Sequence, residues 1–205
     1  MRPTPFGSPH ARAALRELSG VTELPRLAWR SPGLLRQRRG RGRPVLVLPG
    51  RSVDDTSTLP LRLYLQALGH SPRGWGLGTN DGDFARLVPA AGLVVEQLAA
   101  RAGGPVPLVG QSMGGSIARE VAKARPELVS RVITLGSPIM ASRNRAPLRC
   151  PLTVIYSEAD QIVPPRWALG PEDGAEIVQV SSTHLSMGLD PDVWSVIAQR
   201  LSEPT

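Results

Sequence analysis

Two hydrophobic patterns alternate along the chain. Short apolar runs, each closed by Gly, Pro or polar residues, read as strands buried on both faces. The clearest are Val45–Leu48, Val106–Val109, Val132–Leu135 and Leu152–Tyr156. Glu176–Val180 and the weaker His70–Trp75 join them. Between these runs, apolar residues recur three and four apart, the helical period. A helix capped by Thr56 or Ser57 is predicted to reach Leu68. Residues 82–102 carry a long helical pattern that includes Phe84, Leu87, Val88, Ala91, Val94, Val95 and Leu98. Met113–Ala124 ends before Pro126, and Pro191–Leu201 closes the chain. Buried strands alternating with helices predict an α/β domain: a mostly parallel sheet of about six strands flanked by helices.

This pattern begins only at Pro44. Residues 1–43 are rich in Pro, Gly and Arg, with one short amphipathic stretch at Ala11–Leu18. They read as a basic extension, and residues 31–43 as a linker, because Gly and like charges oppose a packed core. Residues 44–205 form the expected folded domain. A length of 205 residues suits one domain plus a tail.

Charge changes the picture less than the net +7 suggests. Ten arginines and two acids in residues 1–43 carry a net +8, and the remainder carries −1. The body is balanced, so no nucleic-acid partner is expected from it. Lys123 is the sole lysine. The single cysteine, Cys150, excludes an internal disulfide framework and a cysteine zinc site. It precedes a strand and reads as a buried structural thiol. Asp54, Asp55, Asp81 and Asp83 lack clustered partners and read as turn and cap residues rather than metal ligands. No apolar run is long enough to span a membrane, and the first twenty residues hold no signal-like apolar core. A cytoplasmic protein is the expectation.

The chemistry is concentrated in Gly110-Gln111-Ser112-Met113-Gly114-Gly115. This is G-x-S-x-G between a predicted strand and a predicted helix, the setting in which a serine is held on a sharp turn as a nucleophile. Glycines on both sides remove side chains that would collide there. Ser112 would stand above the carboxyl edge of the sheet, with the Met113 amide available to an oxyanion. A serine hydroxyl needs a base. His10 lies in the tail, and His70 precedes a strand, at the other edge. His184, just after the last predicted strand, lies at the edge of Ser112. Asp160 follows the strand Leu152–Tyr156 and would orient that base; Glu158, its rival, comes earlier in the loop. The order Ser112, Asp160, His184 matches a known hydrolase order. A second oxyanion donor is expected after the first strand, from Arg51 first and Ser52 second.

With these motifs, and with Leu48-Pro-Gly, Gly74-Trp-Gly-Leu-Gly-Thr-Asn80 and Leu135-Gly-Ser-Pro, residues 44–202 resemble the α/β-hydrolase superfamily. They look most like its small, lidless bacterial esterases and lipases. Many such relatives carry His-Gly-aromatic where this chain has Pro49-Gly50-Arg51. The resemblance implies hydrolysis of small-molecule carboxylic esters with no metal or organic cofactor. The same triad would also serve an acyltransferase or thioesterase, and the fold alone would serve a non-catalytic binding protein. Sixteen residues, Gly136–Pro151, are too few for the cap domain that many relatives insert there, so an open cleft is expected. Trp75, Leu77, Ile139 and Met140 are candidates to line its acyl pocket.

Overall fold

The computed structural model describes residues 23–139, 147–170 and 174–204. Ala11–Leu18 and Met140 therefore lie outside the described residues. Six strands form one fully parallel sheet: β1 (Pro44–Leu48), β2 (Ser71–Gly74), β3 (Val106–Gln111), β4 (Val129–Leu135), β5 (Leu152–Ser157) and β6 (Glu176–Val180). Their spatial order is β2-β1-β3-β4-β5-β6. The helices are α1 (Glu23–Leu34), α2 (Leu59–Ala67), α3 (Phe84–Ala102), α4 (Met113–Ala124), the short α5 (Pro165–Ala168) and α6 (Pro191–Leu201).

Successive residues of a strand point to opposite faces, and here both faces are dry. In β1, Leu46 and Leu48 enter the core under α3 and α4, while Val45 and Val47 enter the core under α1, α2 and α6. This explains why the strands read as continuous apolar runs. The edge strands differ. β2 carries Pro72 and the exposed Arg73, which discourage further pairing. β6 alternates half-buried and exposed residues.

The structure departs from the sequence reading at the amino-terminal side. The segment read as a linker begins inside α1, and α1 packs on the body. Leu34 is buried and Leu27 packs beside it in the second core. Arg26 is bonded to Asp190 and Asp192, and Gln37 Nε2 donates to Ser195 Oγ at 2.6 Å. Like charges opposed packing in the sequence reading, but the acids that answer Arg26 lie more than 160 positions away. The predicted cap also moves: Asp54 caps a 3-10 turn (Asp55–Thr58) that leads into α2. Among the described residues no helix is long and apolar enough to cross a membrane.

Candidate active site

Parallel pairing brings the carboxyl ends of five strands to one edge. Leu48 pairs with Gly110, Gln111 with Leu135, Leu135 with Ile155, and Ser157 with Val180. The segments that follow carry Ser112, Asp160 and His184.

Ser112 ends the β3 ladder with φ 51 and ψ −126, a conformation that non-glycine residues rarely adopt. Its surroundings leave the turn no alternative. A Cβ on Gly110 would come within 2.4 Å of the Gly115 nitrogen, and one on Gly114 within 2.5 Å of the carbonyl oxygens of Leu48 and Pro49. Two small residues thus let a helix start directly against a strand. The Ser112 amide donates to the Leu135 carbonyl at 2.7 Å, tying the turn to β4.

The three side chains meet. Ser112 Oγ lies 3.0 Å from His184 Nε2, and His184 Nδ1 lies 2.7 Å from Asp160 Oδ2. A carboxylate accepts only, so Nδ1 carries the ring proton and Nε2 is free to accept from the serine hydroxyl. His184 and Asp160 are each 4% exposed. The other Asp160 oxygen accepts from the amides of Ile162 (2.9 Å) and Val163 (2.7 Å), so both oxygens are used and the carboxylate cannot swing. Glu158, the rival carboxylate, is exposed. Gly136 underlies the pair; a Cβ there would come within 2.8 Å of Asp160 Oδ2 and 3.1 Å of His184 Nδ1. His70 is at the opposite edge, before β2.

Met113 is the first residue of α4, so its amide has no acceptor within the helix. Among the described residues the Arg51 amide has no acceptor either, whereas the Ser52 amide donates to the Asn80 carbonyl at 2.7 Å. That bond removes Ser52 from contention. The Met113 and Arg51 side chains both pack over Gly82.

Ser112 and His184 line an open cleft of about 480 Å³. Its apolar wall is Val53, Pro60, Ile162, Leu185 and Leu189, and Arg51, Thr56 and Ser57 supply polar atoms. Trp75, Leu77 and Ile139 do not line it. Trp75 is 1% exposed in the core, with its indole N–H donating to the Gly78 carbonyl; Leu77 packs on the same core. Ile139 donates its amide to the Trp167 carbonyl and sits against Gly170. Trp75 and Leu77 are thus drawn into the core by their own hydrophobicity. Asp55 holds the Trp75 turn by accepting from the amides of Trp75 and Gly76.

Several supporting residues escaped the sequence reading. Asn80 is fully buried; its side chain donates to the Pro49 carbonyl at 2.9 Å and its backbone brackets Ser52 and Val53. It holds the loop that presents Arg51. Gln111 Nε2 donates to the His184 carbonyl at 3.4 Å. Arg26 reaches Asp190, at the end of the turn that follows His184. Asn80 falls in a stretch already singled out, but nothing in the sequence marks it as buried.

A parallel sheet in this order, a serine elbow after β3, and an acid and a histidine after β5 and β6 decide the architecture. The chain has the α/β-hydrolase fold. Solved structures agree. A serine hydrolase homologue from Coxiella burnetii superposes with TM-score 0.61 at 16% identity, over 82% of this chain and 89% of that one. A monoacylglycerol lipase from Paleococcus ferrophilus gives 0.60 at 15% identity, over 80% and 95%. The thioesterase domain from the curacin biosynthetic pathway gives 0.57 at 14% identity, over 82% and 93%. No protein-family model and no curated protein sequence matches the chain. As expected for a short β4–β5 connection, no cap domain is evident among the described residues of this α/β-hydrolase fold.

Proposed function

We propose that the chain is a serine hydrolase that cleaves carboxylic esters through an acyl-enzyme. The observation that carries this reading is the unbroken relay Ser112 Oγ, His184 Nε2, His184 Nδ1, Asp160 Oδ2 at 3.0 and 2.7 Å. His184 takes the Ser112 proton as Oγ attacks the ester carbonyl. The amides of Met113 and Arg51 receive the developing negative oxygen, and donors already fixed in place cost no reorganisation at that moment. Asp160 stabilises the imidazolium that forms. His184 then gives its proton to the leaving alkoxide. Water, activated by the same base, releases the acid and restores Ser112.

The cleft supports a small ester as substrate: it is open, and its apolar wall suits an acyl chain while the polar rim faces the alcohol. The comparisons reach a lipase and a thioesterase domain, and the fold by itself selects neither the leaving group nor the acyl acceptor. Partition of the acyl group between water and an added alcohol or thiol measures that choice. The decisive experiment is Ser112→Ala. Hydrolysis of p-nitrophenyl esters falls by roughly four to six orders of magnitude while the protein stays folded. Turnover that survives this substitution refutes the assignment.

A further inference from the structure

A second cavity, of about 410 Å³, lies at the amino edge of the sheet, across the molecule from Ser112. Arg38, Arg39, Arg41 and Arg43 line it. All four are exposed, and none is in an ion pair among the described residues. The acid of this cavity, Glu203, does not answer them: Arg131 and Arg200 hold its carboxylate, each at 3.1 Å. His70 also lines the cavity. It is 7% exposed, and its Nε2 is buried without a hydrogen-bond partner.

The arginines do not branch from a loose tail. The Gly40 amide donates to the Leu68 carbonyl at 2.7 Å, and the Gly42 amide to the Gly69 carbonyl at 2.9 Å. A Cβ on Gly40 would come within 2.6 Å of the His70 ring, so a side chain is excluded where the loop crosses the imidazole. The backbone is pinned, and all four arginines line one concavity. Like charges held this way repel, and among the described residues no carboxylate pairs with them. A compact anion with several oxygens does, because guanidinium groups bind phosphate oxygens through paired, charge-assisted hydrogen bonds. We infer that this cavity binds an oligophosphate group, inorganic or at the end of a nucleotide, through Arg38, Arg39, Arg41 and Arg43. A nucleic-acid strand would need cations spaced along a track, whereas these four line one hollow.

The test uses the full chain and titration calorimetry at about 0.15 M salt, where loose surface attraction is screened. Inorganic tripolyphosphate and ATP are titrated separately, and each binds saturably. Equal affinities assign the recognition to the phosphates, and tighter ATP adds a nucleoside contact. In the double variant Arg39→Ala/Arg41→Ala the dissociation constant rises roughly tenfold or more, since at least two charge-assisted contacts are lost. Its melting temperature stays equal or rises, because neither side chain is buried and their mutual repulsion is gone. The inference is overturned if neither anion saturates, or if the double variant binds as tightly as the parent. It is also overturned if a single-stranded oligonucleotide binds more tightly than tripolyphosphate with a site several nucleotides long. These readouts involve neither Ser112 nor ester turnover, so failure here leaves the proposed hydrolysis standing, and the reverse.

Discussion

Ser112 and His184 arrive at the same edge by different means. Ser112 is placed chiefly by its neighbours: Gly110 closes the turn against the backbone of Gly114 and Gly115, and steric necessity does the rest. His184 is placed from far away. Its orienting carboxylate is 24 positions distant, and the Gln111 side chain that donates to its carbonyl is 73 positions distant. The ion pair behind its loop, Arg26 to Asp190, spans 164 positions. The nucleophile half is therefore rigid by local geometry, while the base half depends on the assembly of the whole domain. A histidine on such a loop is cheap to misplace, and a serine on such an elbow is not.

Breaking the local half costs most. Gly110→Ala drives a methyl into the backbone of Gly114 and Gly115, 2.4 Å from the Gly115 nitrogen. It lowers stability by about 3 kcal/mol or more, read from the urea midpoint. An unchanged midpoint would show slack at the elbow that the geometry denies.

The remote half yields more gently. Arg26→Ala removes the cation bonded to Asp190, whose side chain is 1% exposed. Stability falls by about 1–3 kcal/mol. Hydrogen exchange localises the effect: the amides of Met187 and Asp190 exchange faster, and those of Ser112 and Gly115 do not. Uniform acceleration across both segments would erase the distinction between the halves.

Two groups at the amino edge give smaller effects and serve as controls. Burial holds the His70 imidazole below its ordinary value of 6.5. The folded protein thus binds fewer protons there than the unfolded chain. Stability from this source is full above the ordinary value and declines as the pH falls through it. Replacing His70 by Gln flattens that acid limb in denaturation measured between about pH 7 and pH 5; an unaltered slope excludes His70 as its origin. Cys150 changes least. Burial pushes its thiol up to about 11, against a smaller downward pull from Arg131. At about pH 8 a disulfide reagent labels it more slowly in the native protein than in urea. Equal rates would place the thiol in solvent.

The division between what was legible and what was not follows the same line. The strand runs and the helices Met113–Ala124 and Pro191–Leu201 stand where the periodicity puts them. The elbow was readable because a steric constraint on consecutive residues leaves a consecutive signature. Trp75 shows the opposite case: it lies beside a Gly-rich loop in sequence, yet sits 1% exposed in the core and away from the cleft. Nothing in a linear pattern says which side of a loop turns inward. The docking of α1 was hidden for a related reason. A run of arginines reads as repulsive until the carboxylates that answer some of them, Asp190 and Asp192, are brought in from the other end of the chain.

The order of residues alone determined the alternation of buried strands and helices, and the turn that lifts one hydroxyl above the sheet. Both depend on interactions among near neighbours, which a sequence displays directly. Tertiary structure alone decided that Ser112, His184 and Asp160 stand within hydrogen-bond reach. It also decided which apolar side chains face the cleft, and which arginines are answered by acids and which are left to share one hollow. Those outcomes depend on distances between remote segments, and such distances exist only once the sheet has closed its register.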